Sequence, residues 1–399
     1  MSAGIIILAL LLILFSKTYK LIFVTLLGLL ITYILINTIN YFYDKHQISE
    51  FIVLDKTPKG YLISWNTNRY MLISSQYLKE GYRYSGDIKI LKSWDETKIS
   101  YFTFHTIGFL KADNIIEKNA SPTIQHHIKV LFENYPKYYK KYFINLVFGY
   151  GYYDLKVEIY YTFIKLGIMH FIVVSGMHFS FAYFTLDLLL KKVKNPMTKK
   201  IIKFIVISVY FLMCKLSIAT IRSFLFLSLW TFIGNYRQQK FIINAKIFIA
   251  ICLFMPHSIY NASFWYTFLI SQCIYFLFLF EYKKKIYLNI ILFVLVQVNS
   301  QFLNIWYRHQ LNITTFLYVP LLSPLMEITF YIAIFFFPFY KFLDSYFMFV
   351  DHIFEFLSKW VWILEFDWTF HWFGFVIIVA LSNSIQFIIW KNICINKKL

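Results

Sequence analysis

The run LGIMHFIVVSGMHFSF, residues 166–181, sets His170, Ser175, Gly176 and His178 into sequence that is otherwise apolar. Its length and apolarity suit a segment that crosses a bilayer, where about 20 residues of helix span the hydrocarbon layer. Polar groups at that depth face a cavity or another helix, because lipid offers them no hydrogen bonds. His170 and His178 are eight positions apart, roughly 12 Å of helix rise, so on an unbroken helix they share a face but cannot hold one metal ion. Ser175-Gly176 is the natural place for that helix to break. Glycine is conformationally permissive, and freed backbone groups are tolerated where they line a cavity.

Outward from this run the same apolar character recurs, at about 4–16, 21–37, 163–190, 201–217, 219–234, 241–256, 263–280, 286–302, 313–338 and 371–390, with an amphipathic run over 342–366. The chain of 399 residues is 59% hydrophobic and only 15% charged, a balance that excludes a soluble globular domain. The pattern predicts a polytopic α-helical membrane protein of about 10–11 transmembrane helices. MSAGIIILALLLILF, at the start, has no basic residues before it and is followed at once by a second apolar run, which predicts a retained helix pair over 1–37 rather than a cleaved signal.

Every second loop is basic: Lys17 and Lys20, then Lys191, Lys192, Lys194, Lys199 and Lys200, then Arg237 and Lys240, then Lys283 to Lys285, Lys341, and finally Lys391, Lys397 and Lys398. Short loops rich in Lys and Arg stay in the cytoplasm. If 342–366 counts as a crossing, the expected topology puts 38–162 outside the cell membrane and the C-terminus in the cytoplasm. The formal charge of +19 says less than this placement, since Lys, Asn, Ile, Phe and Tyr are abundant throughout while Gly and Pro are scarce. Cys214, Cys252, Cys273 and Cys394 form no CxxC pair, so neither a disulfide framework nor a metal site is expected.

Residues 49–110 break the membrane pattern. FIVL, GYLISW, YMLIS and YSGDIKIL alternate with Lys, Asn, Pro and Gly, which is strand and turn chemistry. About five short strands fit a small β-barrel of the OB type, a fold that holds single strands of nucleic acid on aromatic platforms. Trp65, Arg69, Tyr82, Arg83, Lys89 and Lys92, with Tyr70 and Tyr84 beside them, could supply such a surface; the alternative is that the aromatics fill the barrel and the lysines solvate it. SPTIQHHIKVLFENYPKYYKKYFINLV, from Ser121, mixes Lys and Tyr with apolar residues and predicts an interfacial helix. The expected organisation is therefore a helix pair at 1–37, an OB-like extracytoplasmic domain at 38–110, amphipathic interfacial helices at 111–162 and a transmembrane domain at 163–399.

The run at 166–181 resembles the signature of the ComEC family of competence proteins, a Gly-x-x-His stretch followed by an apolar segment and Ser-Gly-x-His. Gly167, His170, Ser175, Gly176 and His178 all match it. Gly149 to Asp154, SIATIRSFLF with Arg222, MPHSIYNASFWYTF and NIWYRHQLNITTFLYVPLLSP are similar to later and earlier family segments in the same order, and LKEGYRYSGDIKI and YFTFHTIGFLKADN resemble the family's outer OB-like domain. The chain departs from the family pattern at Ser223, at Asn244-Ala245 and at Val319-Pro320. It also stops at Leu399 without the HxHxDH string of a metallo-β-lactamase-like domain, so a channel-only form is expected.

The resemblance implies a channel that passes single-stranded DNA across the cell membrane in transformation, with no covalent chemistry and no cofactor. The implied partners are single-stranded DNA, membrane lipids, a DNA receptor, a separate nuclease and a cytoplasmic ATP-driven translocase, since no GxxxxGK[ST] nucleotide motif is present. The residues themselves leave alternatives open. His170, Ser175 and His178 either line the route or fix helix packing. Arg222 and Lys215 either meet phosphate or snorkel to the interface. Glu327, alone in an apolar run beside Pro320 and Pro324, is costly in lipid and is either functional or paired. Asp344, Asp351, Glu355 and Lys359 fall on one helix face and predict a packing or interfacial helix. Two other classes are an intramembrane serine protease, with Ser175 as nucleophile and His257 or His309 as base, and a transporter or polymer-handling protein. Val173 stands where the protease motif needs glycine, and no inverted repeat is visible.

Overall fold

The computed structural model describes residues 50–57, 60–65, 68–90, 108–120, 124–151, 153–233, 237–255, 258, 262–277 and 285–366. The expected helix pair at 1–37 and the apolar run at 371–390 lie outside the described residues. The chain divides into two compact units, one of residues 46–234 with 312–364 and one of 1–45, 235–311 and 365–399.

The first unit opens with five strands, β1 (Glu50–Thr57), β2 (Gly60–Trp65), β3 (Asn68–Ile73), β4 (Tyr82–Ile90) and β5 (Gly108–Ala120). They pair in the order β1-β2-β3-β5-β4, and β1 returns to β4, which curls the sheet into a closed barrel. Only β3 and β5 run parallel. Phe51, Val53, Ile63, Met71, Leu72 and Leu110 are fully buried in it. Phe51 and Tyr84 are register partners whose rings stack at 6.0 Å. The tyrosine hydroxyls reach the connector between β3 and β4, where Tyr84 accepts from the Lys79 amide at 2.8 Å and Tyr61 from the Leu78 amide at 3.2 Å. β5 carries the sheet ten residues beyond the expected boundary at 110, because β4 pairs with it along its whole length.

Helices follow: α1 (Ile124–Leu131), α2 (Lys137–Phe148), α3 (Tyr153–Leu166), α4 (Gly176–Leu189), α5 (Pro196–Met213), α6 (Ile218–Ile233), α7 (Arg237–Phe254), α8 (Ala262–Leu277), α9 (Lys285–Arg308), α10 (Thr315–Phe335) and α11 (Tyr340–Ser358). The described chain is mostly helical. Ile290–Arg308 and Thr315–Phe335 are long and apolar enough to cross a membrane, and Ile218–Phe232 and Ile243–Cys252 are shorter apolar helices. α1 docks on the barrel through a Lys129–Glu80 ion pair and through His126, edge-on to Tyr82.

α2 differs from the interfacial helix its sequence predicts. It lies in the core, its residues 141–148 all buried, packed with α3, α10 and α11 around Tyr139, Tyr142, Phe163, Phe330, Phe347 and Phe354. Its polar groups are matched from within. Lys141 pairs with Asp351, Tyr142 donates to the same carboxylate, and the Tyr139 amide donates to Asp344 at 2.8 Å. The acidic stripe of α11 is thus a packing device, as its spacing suggests, with Glu355 and Lys359 left exposed.

Candidate functional site

α3 stops at Gly167, whose φ of 75° lies in the left-handed region. The Gly167 amide donates to the Ile164 carbonyl at 3.1 Å and the Ile168 amide to Phe163 at 3.0 Å, which is a Schellman cap. A Cβ at Gly167 would also overlap Cγ2 of Thr315 on α10. A single 3₁₀ turn, Met169–Phe171, then carries His170, which is exposed and whose ring lies 4.2 Å from that of Phe171.

The helix break expected at Ser175-Gly176 is the N-terminus of α4. Ser175 is extended, and its side chain accepts from the His178 amide while the His178 ring accepts from the Ser175 amide at 3.2 Å on Nδ1. Histidine takes the place that Glu or Gln holds in most capping boxes. With Nδ1 accepting, the neutral ring carries its proton on Nε2. The ring is wholly buried and edge-on to Phe330 at 4.6 Å. Nε2 lies toward the Leu146 backbone without a well-shaped hydrogen bond among the described residues.

Gly176 sits against α6. A Cβ there would lie 3.5 Å from Nη2 of Arg222 and 3.6 Å from Oγ of Ser223, both ordinary contacts, so a methyl group fits. Arg222 is 7% exposed, which removes the snorkelling alternative. The turn before α6 completes the junction. The Lys215 amide donates to the Phe148 carbonyl at 2.8 Å, and the Thr220 hydroxyl lies 3.1 Å from the Val174 carbonyl and 2.9 Å from that of Lys215. Ser217 caps α6 by accepting from the Thr220 amide at 3.1 Å. Three segments, 146–149, 174–178 and 214–223, therefore meet through their helix ends.

This junction brings together Ser175, Gly176, His178, Lys215 and Arg222. Gly167 and His170 end the preceding helix and its turn. Glu327 stands apart, exposed on α10, while Met326, Thr329 and Phe330 of the same turn face the core. Thr220, Ser217 and Asn145 were not singled out from the sequence. For Ser217 the signal was present, a hydroxyl immediately before an apolar helical run. For Asn145, whose buried Oδ1 lies where a Cβ of Gly151 would come within 2.6 Å, no local pattern exists.

On the barrel, Tyr82 is partly buried beneath Lys79, whose ammonium is 5.1 Å from the ring centroid. Arg83 lies 3.8 Å from Glu50, which also takes Lys118 at 2.7 Å. The Lys118 hydrogen bond, with its charge and that of Arg83, holds the Glu50 carboxyl below the usual carboxylate range. Trp65, Arg69 and Lys89 fall on strands, with Trp65 opposite Asn68, Arg69 opposite Ser64 and Lys89 opposite Lys111. Lys92 lies outside the described residues.

In the second unit α7, α8 and α9 carry buried amides and hydroxyls. Ser271 donates to Asn244 at 3.2 Å, Tyr266 to Asn304 at 2.6 Å, and Gln297, Asn299 and Gln301 are buried. His309 has a positive φ of 54°, and His257 lies outside the described residues. Among the described residues no three His, Cys, Asp or Glu side chains are placed to hold a metal ion.

Fold and site together define a mainly helical protein with candidate membrane-spanning helices, a small curled sheet and a junction of capped helix ends. The chain belongs to the Competence family, described as competence protein, whose model matches residues 146–397 and so takes in the whole junction. This agrees with the resemblance to ComEC-type proteins and points to a role in DNA uptake for transformation. No curated protein and no solved structure matches the chain.

Proposed function

We propose that this chain is a polytopic channel for single-stranded DNA in the bacterial cell membrane, and that the junction of 146–149, 174–178 and 214–223 governs passage. The observation that carries it is the burial of Arg222 against Gly176, at the N-terminus that Ser175 and His178 cap. Ser175, Gly176 and His178 fall in the run where the resemblance to the family is most specific, and Arg222 is the charge packed against it. The strand order of the outer barrel, with its parallel β3/β5 pair, supports an OB-like capture domain. In this reading that domain is extracytoplasmic, the C-terminus is cytoplasmic, and Glu327 faces either the route or a partner helix.

The chain performs no covalent chemistry and takes no cofactor in this reading. A DNA receptor delivers the duplex and a separate nuclease removes one strand. A cytoplasmic ATP-driven translocase pulls the other, which must lose chain freedom and phosphate solvation on entry. The test is uptake of end-labelled DNA in a deletion strain complemented with the wild type or with Arg222→Gln. Loss of internalised label at unchanged protein level and surface binding supports the reading. Full uptake by Arg222→Gln and Gly176→Leu alike would refute it.

A further inference from the structure

The end of the α4–α5 hairpin carries a second chemistry. Lys191, Lys192, Lys194, Lys199, Lys200 and Lys203 fall within thirteen positions, and Asp187 is the only acidic residue between Glu158 and Glu281. Asp187 is already engaged. It pairs with Lys199 at 2.9 Å and with Lys203, which is buried and lies 4.1 Å from the Tyr183 ring centroid. Lys191, Lys192 and Lys194 stand exposed on the connector, with Lys200 half-buried beside them, and none of the four has an ion pair among the described residues.

Immediately beside these lysines the surface is aliphatic. Leu188, Leu189, Met197 and Ile201 are exposed, Leu189 to 72%. The apolar surface continues along α5 through Ile205, Val209 and Leu212, a stripe at helical spacing. We propose that this hairpin end binds the phosphodiester headgroups of anionic phospholipids, the lysines at headgroup level and the aliphatic collar in the acyl layer. Nucleic acid would engage the lysines but leave the collar in water, whereas a lipid engages both. The inference rests on the membrane reading and is independent of transport.

The probe is dioleoylphosphatidylglycerol against dioleoylphosphatidylcholine, titrated onto the purified full chain in a neutral detergent and read by lipid retention and thermal midpoint. Phosphatidylglycerol should bind saturably and raise the midpoint, and phosphatidylcholine should do neither. The variant Lys191→Gln/Lys192→Gln/Lys194→Gln/Lys200→Gln changes surface residues and should weaken retention at least about tenfold. Lys56→Gln/Lys79→Gln/Lys111→Gln/Lys118→Gln, which removes the same charge from the barrel, should change it less than about twofold. Equal loss in the two variants, equal binding of the two lipids, or full displacement by glycerophosphoglycerol or a single-stranded oligonucleotide would overturn the inference. Loss of DNA uptake in the hairpin variant with lipid affinity intact overturns it and leaves the transport reading standing. Loss of lipid affinity with uptake unchanged supports it.

Discussion

Lys141 Nζ lies 2.8 Å from Asp351 Oδ1, with the two side chains only 2% and 7% exposed, and the same oxygen accepts a 2.6 Å hydrogen bond from Tyr142. Glu158, at 3.4 Å and largely in the open, is the outer partner. Removing one member of a buried pair leaves the other charge without compensation, at about 3–5 kcal/mol. Asp351→Asn should therefore lower the thermal midpoint sharply, Glu158→Gln should scarcely move it, and Lys141→Met/Asp351→Leu should recover most of the loss. Equal effects of the two acid substitutions would show that the pair is not the stabilising contact.

Gly167 combines a left-handed backbone with a contact that leaves no room for a methyl group. Gly167→Ala should destabilise by about 1–3 kcal/mol from strain alone, with the overlap on Thr315 added. Thr315→Ser deletes the overlapping methyl and keeps the hydroxyl that donates to Asn312 at 2.7 Å. It should rescue part of the loss, and a double-mutant cycle by thermal denaturation reads the coupling. Additive effects would mean that the clash had relaxed at no cost.

Ser175 and His178 cap one helix reciprocally, so their losses should not add. Ser175→Ala and His178→Ala should each cost about 0.5–2 kcal/mol, and the double variant little more than the larger single one. His178→Gln, which can still accept from the Ser175 amide, should restore stability. If uptake of labelled DNA stays low in His178→Gln while stability returns, the ring serves more than the cap. Full uptake in His178→Ala would confine it to packing.

At Gly176 the neighbouring atoms admit a methyl group, with Arg222 Nη2 and Ser223 Oγ as its nearest contacts. Gly176→Ala should leave uptake near wild type, while Gly176→Leu should block it at unchanged protein level. Uptake by both at wild-type rates would take the α4–α6 contact out of the mechanism.

Glu50 neutralises Arg83 and Lys118 on the barrel. Glu50→Gln frees two cations, and binding of a fluorescent single-stranded oligonucleotide should tighten severalfold with a steeper salt dependence. The carboxyl is held below its usual range, so the pair is intact above the ordinary value of 4.5 and is lost as pH falls through the lower folded value. Acid should therefore mimic the substitution. Unchanged affinity in Glu50→Gln would place the nucleic-acid surface away from β1 and β4.

Much of this was legible locally. Apolar runs announced helices, alternation and turn residues announced β1 to β4 but not the extent of β5, and Ser175-Gly176 announced a helix break because glycine and a hydroxyl at that spacing have few other uses. Those features depend on neighbours within a turn or two of chain, which the sequence displays directly.

What the sequence determined by itself is the helical character, the strand region and the family to which 146–397 belongs. Only the tertiary structure decided that α2 is core rather than interfacial, because Lys141 finds its counter-charge 210 residues away on α11. Only it set Arg222 beside Gly176 and Thr220 beneath Val174. Local composition prices a lysine or an arginine as if water were its only partner, and the desolvation cost that would keep it at the surface is cancelled by groups that only the folded chain brings near.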